Sequence, residues 1–205
     1  MGIHVRLSRV AALSLLTFSI ALPAAAEPNP TTAAAGVTTP RVRIDNFGRV
    51  SPNYYRGAQP KGSDYADLAA LGVGTVINLT DDDGQANERQ LVERAGMKYV
   101  HIPMSTHRPP TSDELSRFLA VVNDSSSGPV FVHCVGGKHR TGVMTAAYRM
   151  TNDGWTSEQA FREMKQYKFG LDFLHPEFKK YVFAFGPGPR PATPTDTVFA
   201  TTIGN

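Results

Sequence analysis

The single cysteine of this 205-residue chain lies in a short segment whose residue types suit chemistry on a phosphate group. The segment runs His-Cys-Val-Gly-Gly-Lys-His-Arg-Thr-Gly, so Cys134 is followed six positions later by Arg140 and then by Thr141. A thiolate is a strong nucleophile, and a guanidinium can bind two phosphoryl oxygens at once. These residues predict attack of the sulfur on phosphorus and hydrolysis of the resulting phosphocysteine, with Thr141 donating a hydrogen bond toward the sulfur.

The elements on either side of the cysteine indicate how this chemistry would be positioned. Residues 130–133 predict a buried strand, and residues 141–152 predict a helix. A strand, a glycine-containing turn and a helix N-terminus together direct backbone N–H groups and the helix dipole at an anion. The glycines permit positive φ and leave room for a ligand. We therefore expect the residues around the cysteine to bind substrate: Val135, Gly136, Gly137, Lys138, His139 and Thr141.

A lone cysteine is more often a small buried hydrophobic residue than a nucleophile. The neighbouring residues argue against that alternative, because Lys138, His139 and Arg140 are consecutive basic residues and buried charges need partners. A solvated basic loop is a second alternative, but it does not explain a strand directly before the loop and a helix directly after it. The pattern favours a nucleophilic Cys134.

The segment resembles the His-Cys-x5-Arg-Ser/Thr signature of the protein tyrosine and dual-specificity phosphatases. The resemblance extends upstream to Asn46–Pro52 and to Tyr54–Pro60, which are similar to the opening of the bacterial, plant and fungal atypical dual-specificity phosphatases. It covers roughly residues 41–185 and implies a compact phosphatase fold in which Cys134 is the nucleophile and Arg140 binds the phosphoryl group. Tyr54, Tyr55 and Arg56 either line the rim of the pocket or, for the tyrosines, belong to the core.

The resemblance also implies a general acid, because family members carry an aspartate that protonates the leaving oxygen from a mobile loop. That loop should follow the strand predicted at residues 99–103, and Asp113 is the first acid in it. Alternatively, Asp113 is a carboxylate in the first turn of a helix, where the helix dipole favours negative charge. His107 and the run from Asp81 to Asp83, which follows another predicted strand, remain alternative acids.

Lys138 and His139 add positive charge beyond what a phosphotyrosine requires. The resemblance therefore implies either a phosphorylated protein or a phosphorylated inositol or lipid headgroup as substrate, including inositol pyrophosphates, whose acidic leaving group needs less help from an acid. A non-catalytic phosphate-binding module and a rhodanese-type sulfurtransferase are the competing functions, although the spacing of the arginine favours phosphoryl chemistry. Neither a cofactor nor a metal site is indicated, since His101 and His175 lack metal-ligand spacing.

The N-terminus predicts export. Arg6 and Arg9 precede an apolar stretch from Val10 to Leu22, and three alanines end at Ala26, a pattern typical of a secretory signal peptide. The stretch is too short for a spanning helix, so we expect no stable membrane insertion. Cleavage near Ala26 would release a periplasmic or secreted protein and lower the formal net charge from +3 to +1 by removing both arginines. A near-neutral chain gives no support for nucleic-acid binding, and the oligomeric state is left open.

The remaining sequence predicts one domain between two irregular segments. Residues 27–40 predict a flexible linker, residues 41–185 the phosphatase domain and residues 186–205 a disordered tail. Strands alternate with helices within the domain, which predicts an α/β fold with a mainly parallel central sheet flanked by helices. The further elements are predicted as strands at 74–79 and 99–103, and helices at 64–71, 87–95 and 112–123, with two more beginning after Thr156 and at Pro176. Ser112 is expected to cap the helix at 112–123, and Thr156 with Gln159 predicts a capping box.

Overall fold

The computed structural model describes residues 42–81 and 84–186, together with Gly2. Contacts divide the chain into residues 1–37 and 38–205, and every element given below belongs to the second unit. The predicted signal peptide (apart from Gly2), the linker at 27–40 and residues 187–205 of the predicted tail lie outside the described residues. No described helix combines the length and the apolar character needed to cross a bilayer.

A five-stranded sheet forms the centre of the fold. The order across the sheet is β1-β2-β5-β3-β4, in which β1 and β2 pair antiparallel and the other neighbours pair parallel. This arrangement confirms the predicted α/β class with a mainly parallel sheet. The strands are β1 (Gly48–Ser51), β2 (Tyr54–Ala58), β3 (Thr75–Asn78), β4 (Lys98–His101) and β5 (Val130–Cys134).

Six helices of the described chain flank the sheet, and each lies within one or two residues of a predicted helix or begins where one was expected. A short 3-10 turn, Ser125–Ser127, precedes β5. The helices are α1 (Asp64–Ala70), α2 (Glu88–Arg94), α3 (Ser112–Asn123), α4 (Arg140–Asn152), α5 (Ser157–Gln166) and α6 (Pro176–Ala184).

The central position of β5 explains why all five of its residues are buried. Side chains alternate across a strand, so Val130 and Val132 enter one apolar cluster while Phe131 enters another. The first cluster contains residues of α3, α4, α5 and α6, and the second contains residues of α1 and α2. Helix packing on both faces fixes β5, and Cys134 lies at its carboxyl end.

The start of α3 differs from the expectation that Ser112 caps it. Thr111 is the N-cap residue, with extended backbone angles that let its hydroxyl accept a hydrogen bond from the N–H of Glu114 at 3.2 Å. The Glu114 carboxylate in turn accepts from the N–H of Thr111 at 2.7 Å. Ser112 is already helical, so its hydroxyl cannot take that role. The capping box predicted at Thr156 and Gln159 is confirmed at the start of α5.

The hairpin of β1 and β2 was missed, because its residues were recognised only as part of a resemblance. Strand β2 reads Tyr-Tyr-Arg-Gly-Ala and is buried at every position, including Arg56, which is 0% exposed. A charged residue followed by glycine does not predict a buried strand. Tyr54 and Tyr55 belong to the core, and Arg56 lies beneath the surface rather than on a rim.

Candidate active site

The segment that connects β5 to α4, residues 134–140, forms the wall of a cavity of about 240 Å³. We call this segment the cysteine loop and the space above it the cysteine cavity. Cys134 is 4% exposed, so its sulfur has only a narrow exposure to solvent. The cavity is lined by Thr106, Cys134, Val135, Gly136, Lys138, His139, Arg140 and His175. The structure thus brings together six of the residues predicted to act on substrate, and it adds Thr106 and His175.

The cysteine cavity is suited to an anion. Lys138 and Arg140 supply permanent positive charge, and two imidazoles lie beside them. No carboxylate lines the cavity among the residues that the structure describes. The Arg140 guanidinium is nearly buried and donates a hydrogen bond from Nη1 to the carbonyl of Met104 at 3.3 Å, which links the cysteine loop to the segment that follows β4.

Gly137 is the one residue of the cysteine loop that does not line the cavity. Its φ is +63°, and an added Cβ would lie 2.4 Å from the backbone of Gly57, so only glycine fits at this position. Its carbonyl accepts hydrogen bonds from Asn46 Nδ2 at 2.9 Å and from Arg56 Nη2 at 2.8 Å. The C=O and N–H of a trans peptide point in opposite directions, so these bonds direct the N–H of Lys138 away from Asn46 and Arg56, and we expect it to face the cavity that Lys138 lines.

A buried carboxylate lies behind the nucleophile. Glu88, at the start of α2, is fully buried, and its Oε1 is 3.0 Å from Nε2 of His133, the residue before the cysteine. Asn78 and Tyr65 also donate to this carboxylate, at 2.6 Å and 3.1 Å. Neither ring nitrogen of His133 makes a hydrogen bond within the described part of the chain, so the 3.0 Å approach of Glu88 is an electrostatic contact. No local pattern in the sequence predicts this contact, since Glu88 is one of several polar residues in its helix.

Two histidines pack together at one side of the cysteine cavity. The ring centroids of His139 and His175 are 3.7 Å apart, and Nε2 of His139 lies 2.9 Å from the carbonyl of Phe169. A carbonyl only accepts, so Nε2 carries the proton in this contact. Burial lowers the pKa of His139, and the neighbouring positive charges of His175, Lys138 and Arg140 lower it further, whereas the contact with Phe169 opposes the shift.

Asp113, the predicted general acid, does not line the cysteine cavity. It lies in the first turn of α3, its side chain is 79% exposed, and its carboxylate is 4.0 Å from Arg117. His107 is exposed and is also outside the lining, as is Asp81. The alternatives Asp82 and Asp83 lie outside the described residues. The identity of the acid therefore stays a prediction.

Thr141 lies in the first turn of α4 and is fully buried. Its hydroxyl has no hydrogen-bond partner within the described part of the chain, so the predicted bond to the Cys134 sulfur is not made in this conformation. An unpartnered hydroxyl in a buried position is free to bind a group that enters the site, which keeps a role in the second chemical step as a prediction.

The fold and this site define a class: a nucleophilic cysteine at the end of the central parallel strand, followed by a glycine-containing loop and an arginine at the start of a helix, is the arrangement of the dual-specificity phosphatases. Residues 44–177 match the family described as "DSP-PTPase phosphatase fused to NAD+ Kinase", and the chain belongs to this family.

Individual relatives give the same assignment. The chain is 34% identical over 125 residues to the dual specificity protein phosphatase TpbA of Pseudomonas aeruginosa. The aligned region covers 61% of this chain and 56% of the relative. It is 25% identical over 130 residues to the inositol diphosphatase SIW14 of Saccharomyces cerevisiae, covering 61% and 46%. The chain thus spans about half the length of these curated relatives.

A solved structure supports the fold. The crystal structure of a cysteine-to-serine variant of P. aeruginosa TpbA in complex with phosphotyrosine superimposes with a TM-score of 0.59 at 30% identity. The match covers 68% of this chain and 83% of that one.

Proposed function

We propose that this chain is a cysteine-dependent phosphatase that hydrolyses phosphate monoesters of tyrosine, serine or threonine through a phosphocysteine. The observation that carries the proposal is the cysteine cavity, in which Cys134 lies below a space lined by Lys138 and Arg140 and by no described carboxylate. A space with this lining attracts a dianionic phosphoryl group, and its described residues include no carboxylate pair for acid–base hydrolysis.

The reaction follows from the positions of these groups. The Cys134 thiolate attacks phosphorus, the phosphorus–oxygen ester bond breaks, and the leaving oxygen takes a proton from the general acid or from water. Water then attacks the phosphocysteine, the sulfur–phosphorus bond breaks, and inorganic phosphate leaves with the thiolate restored. Arg140 and the N–H groups of the cysteine loop stabilise the charge on the transferring phosphoryl group in both steps.

Replacement of the nucleophile tests this proposal. Cys134→Ser should lower the turnover of p-nitrophenyl phosphate by roughly 10⁵-fold or more, because no covalent intermediate can form, while inorganic phosphate still binds. Ser116→Ala, an exposed change on α3, is the control and should leave turnover unchanged. Full wild-type activity should persist in a chelator.

An active Cys134→Ser variant would contradict covalent catalysis. Phosphate binding by an inactive wild type would instead identify a non-catalytic binding module. Sulfur transfer from thiosulfate without phosphate hydrolysis would identify a sulfurtransferase.

A second candidate substrate is a multiply phosphorylated inositol or its lipid form, and it is favoured by a neighbouring space that we call the basic cavity. This space of about 340 Å³ shares Val135, Gly136 and Lys138 with the cysteine cavity. Its other cations are Arg43, Lys61 and Lys168, set against the carboxylates of Asp45 and Asp64. With Lys138, the basic cavity has four cations. Across residues 42–81 and 84–186, none of the four forms an ion pair with a carboxylate, so they are available to a second phosphate group. The relative SIW14 is named an inositol diphosphatase.

A comparison of substrates separates the two candidates. We expect Arg43→Gln/Lys61→Gln to lower kcat/KM for an inositol polyphosphate by about tenfold, because two exposed charges contribute at most about 1 kcal/mol each. The rate on a phosphotyrosine peptide should be unchanged. Arg162→Gln/Lys180→Gln removes the same charge from other exposed positions and is the matched control.

Vesicles that carry a phosphoinositide, compared with the soluble inositol phosphate, distinguish the lipid source from the free one. An equal loss on both substrate types, or no loss on either, would contradict a second-phosphate role for the basic cavity.

We also propose that the chain is exported and acts in the periplasm or outside the cell. The proposal is supported by the basic residues, the apolar stretch and the alanine triplet of residues 1–26. The single cysteine is consistent with an oxidising compartment, since no second cysteine of the chain can form a disulfide with the nucleophile.

A further inference from the structure

Arg56 is a buried arginine without a carboxylate partner. It is 0% exposed in the middle of β2, and across residues 42–81 and 84–186 no carboxylate lies within ion-pairing distance of its guanidinium. Glu163, the carboxylate that influences it from α5, is bound by Arg149 at 2.7 Å. Among the residues that the structure describes, the guanidinium of Arg56 makes one hydrogen bond, from Nη2 to the carbonyl of Gly137 at 2.8 Å. The ring of Tyr167 covers the guanidinium at 4.0 Å.

The position of Arg56 is electrostatically unfavourable in the absence of an anion. Burial of a charged group without a partner costs several kcal/mol, and this burial lowers the pKa of Arg56. Its Nε and Nη1 have no hydrogen-bond partner among the described residues. Nη2 also lies beside Gly142 in the first turn of α4, where the partial positive charge of the helix N-terminus repels a cation.

The anions that could compensate this charge belong to the reaction itself. Strand β2 pairs with β5 so that Arg56 lies opposite Val132, two residues before the nucleophile, and a negative Cys134 is among the groups that stabilise the charge of Arg56. The bond to Gly137 places the guanidinium directly beneath the cysteine loop. The thiolate of the free enzyme and the phosphoryl group of the intermediate both form on the other side of this loop.

We propose that Arg56 is a positioning residue that orients the Gly137 peptide for phosphate binding and that its buried charge stabilises the anion formed at Cys134. The inference rests on the proposed function, because it assigns a role within the cysteine chemistry. Asn46 shares the first role, since its side chain donates to the same carbonyl, but it carries no charge. Substitutions of Asn46 and of Arg56 therefore separate the orientation of the Gly137 peptide from the effect of the Arg56 charge.

Other charged or titratable groups face this region and remain present in the test. Those around the sulfur lie on β5, on α2, on the cysteine loop and at the start of α6. Those around Arg56 lie on β2, on α5 and at the C-terminal end of α5. They are His133 with its partner Glu88, Lys138, His139, Arg140 and His175 near Cys134, and Tyr54, Glu163 and Tyr167 near Arg56.

Two measurements test the inference in full-length protein. The first is the rate at which iodoacetamide alkylates Cys134 at pH 6.5, which reports the thiolate directly. The second is the affinity for inorganic phosphate in a Cys134→Ser background. Arg56→Met should slow alkylation about tenfold and weaken phosphate binding about tenfold. Asn46→Gly, which suits the positive φ of 55° at that position, should weaken phosphate binding and leave the alkylation rate within about twofold of wild type.

Further variants keep the result decisive. Arg56→Lys keeps the charge and should retain the wild-type alkylation rate. Should Arg56→Met fail to fold, Arg56→Gln retains an N–H donor without charge and should slow alkylation in the same way. Wild-type alkylation and phosphate binding in the uncharged variant would overturn the inference. Because neither readout requires turnover, an inactive wild type would refute the proposed function without deciding the role of Arg56.

Discussion

At the scale of single residues, the cysteine loop combines groups that would be costly to bury elsewhere. Lys138 and Arg140 face one small cavity, and Arg56 bonds to the cysteine loop with no carboxylate of residues 42–81 or 84–186 as an ion-pair partner. An anion bound in the cavity lowers the electrostatic repulsion between such cations. The low pKa of His139 is part of the same balance, because a neutral imidazole avoids a further positive charge beside Arg140.

The identity of the general acid can be tested with substrates whose leaving groups differ in acidity. We expect Asp113→Asn to lower kcat for phenyl phosphate by about 10²-fold and for p-nitrophenyl phosphate much less, because an acidic phenol leaves without protonation. His107→Gln and Asp81→Asn test the alternative donors on the same two substrates. A wild-type rate of Asp113→Asn on phenyl phosphate would remove Asp113 as the acid.

Because Asp113 is exposed, the result of this experiment also bears on whether the start of α3 moves. Its carboxylate is 79% exposed and pairs with Arg117 outside the cysteine cavity, so loss of activity in Asp113→Asn would require the start of α3 or its preceding segment to move on substrate binding. Unchanged activity would fit a first-turn carboxylate that stabilises α3 through the helix dipole.

At the scale of elements, the segment from β4 to α3, residues 102–111, is held at both ends. Arg140 binds the carbonyl of Met104 near its start, and Arg108 binds Glu114 of α3 through two hydrogen bonds of 3.0 and 2.6 Å near its end. Burial alone would raise the pKa of Glu114, but the hydrogen bonds from Arg108 and Thr111 outweigh it and hold the pKa below its ordinary value of 4.5.

Loss of the Glu114 charge should loosen this segment. Because the pKa of the folded state is lowered, the stabilisation is present above about pH 4.5 and is lost as the pH falls through the lower folded pKa. We expect Glu114→Gln to reduce the free energy of unfolding in urea by about 1–2 kcal/mol at pH 7, and by progressively less below pH 4.

The exposed pair of Arg89 and Glu93 on α2 provides the control for this prediction. Glu93→Gln should change the free energy of unfolding by less than about 0.5 kcal/mol at either pH, since exposed i,i+4 pairs contribute little. A Glu114→Gln deficit that is equally large at pH 3 and pH 7 would show that the neutral hydrogen bonds of the cap, and not the charge, stabilise the segment.

At the scale of the whole molecule, export is tested by the N-terminus of the mature protein. When the full chain is expressed in a bacterial host with a periplasm, we expect the periplasmic fraction to contain protein that begins at Glu27, after cleavage at Ala26. Leu15→Arg/Leu16→Arg interrupts the apolar stretch and should retain the uncleaved chain in the cytoplasm. An uncleaved wild-type chain in the membrane fraction would contradict the signal-peptide interpretation and indicate an anchor.

The chemistry of the site could be predicted from the sequence because its central residues lie within one short loop. Cys134, Gly137 and Arg140 are close along the chain, so the strand before them and the helix after them suffice to predict an anion site. The alternation of strands and helices likewise predicted the sheet class, since apolar periodicity is a local property.

Only the tertiary structure determined which distant residues complete the site. Asn46 and Arg56 meet Gly137 because β2 pairs with β5, and His175 joins the cavity because α6 packs near the cysteine loop. Glu88 of α2 lies beside His133 of β5 for the same kind of reason. Strand pairing and helix packing bring together residues that are far apart in sequence, and their individual residue types give no local signal of that proximity.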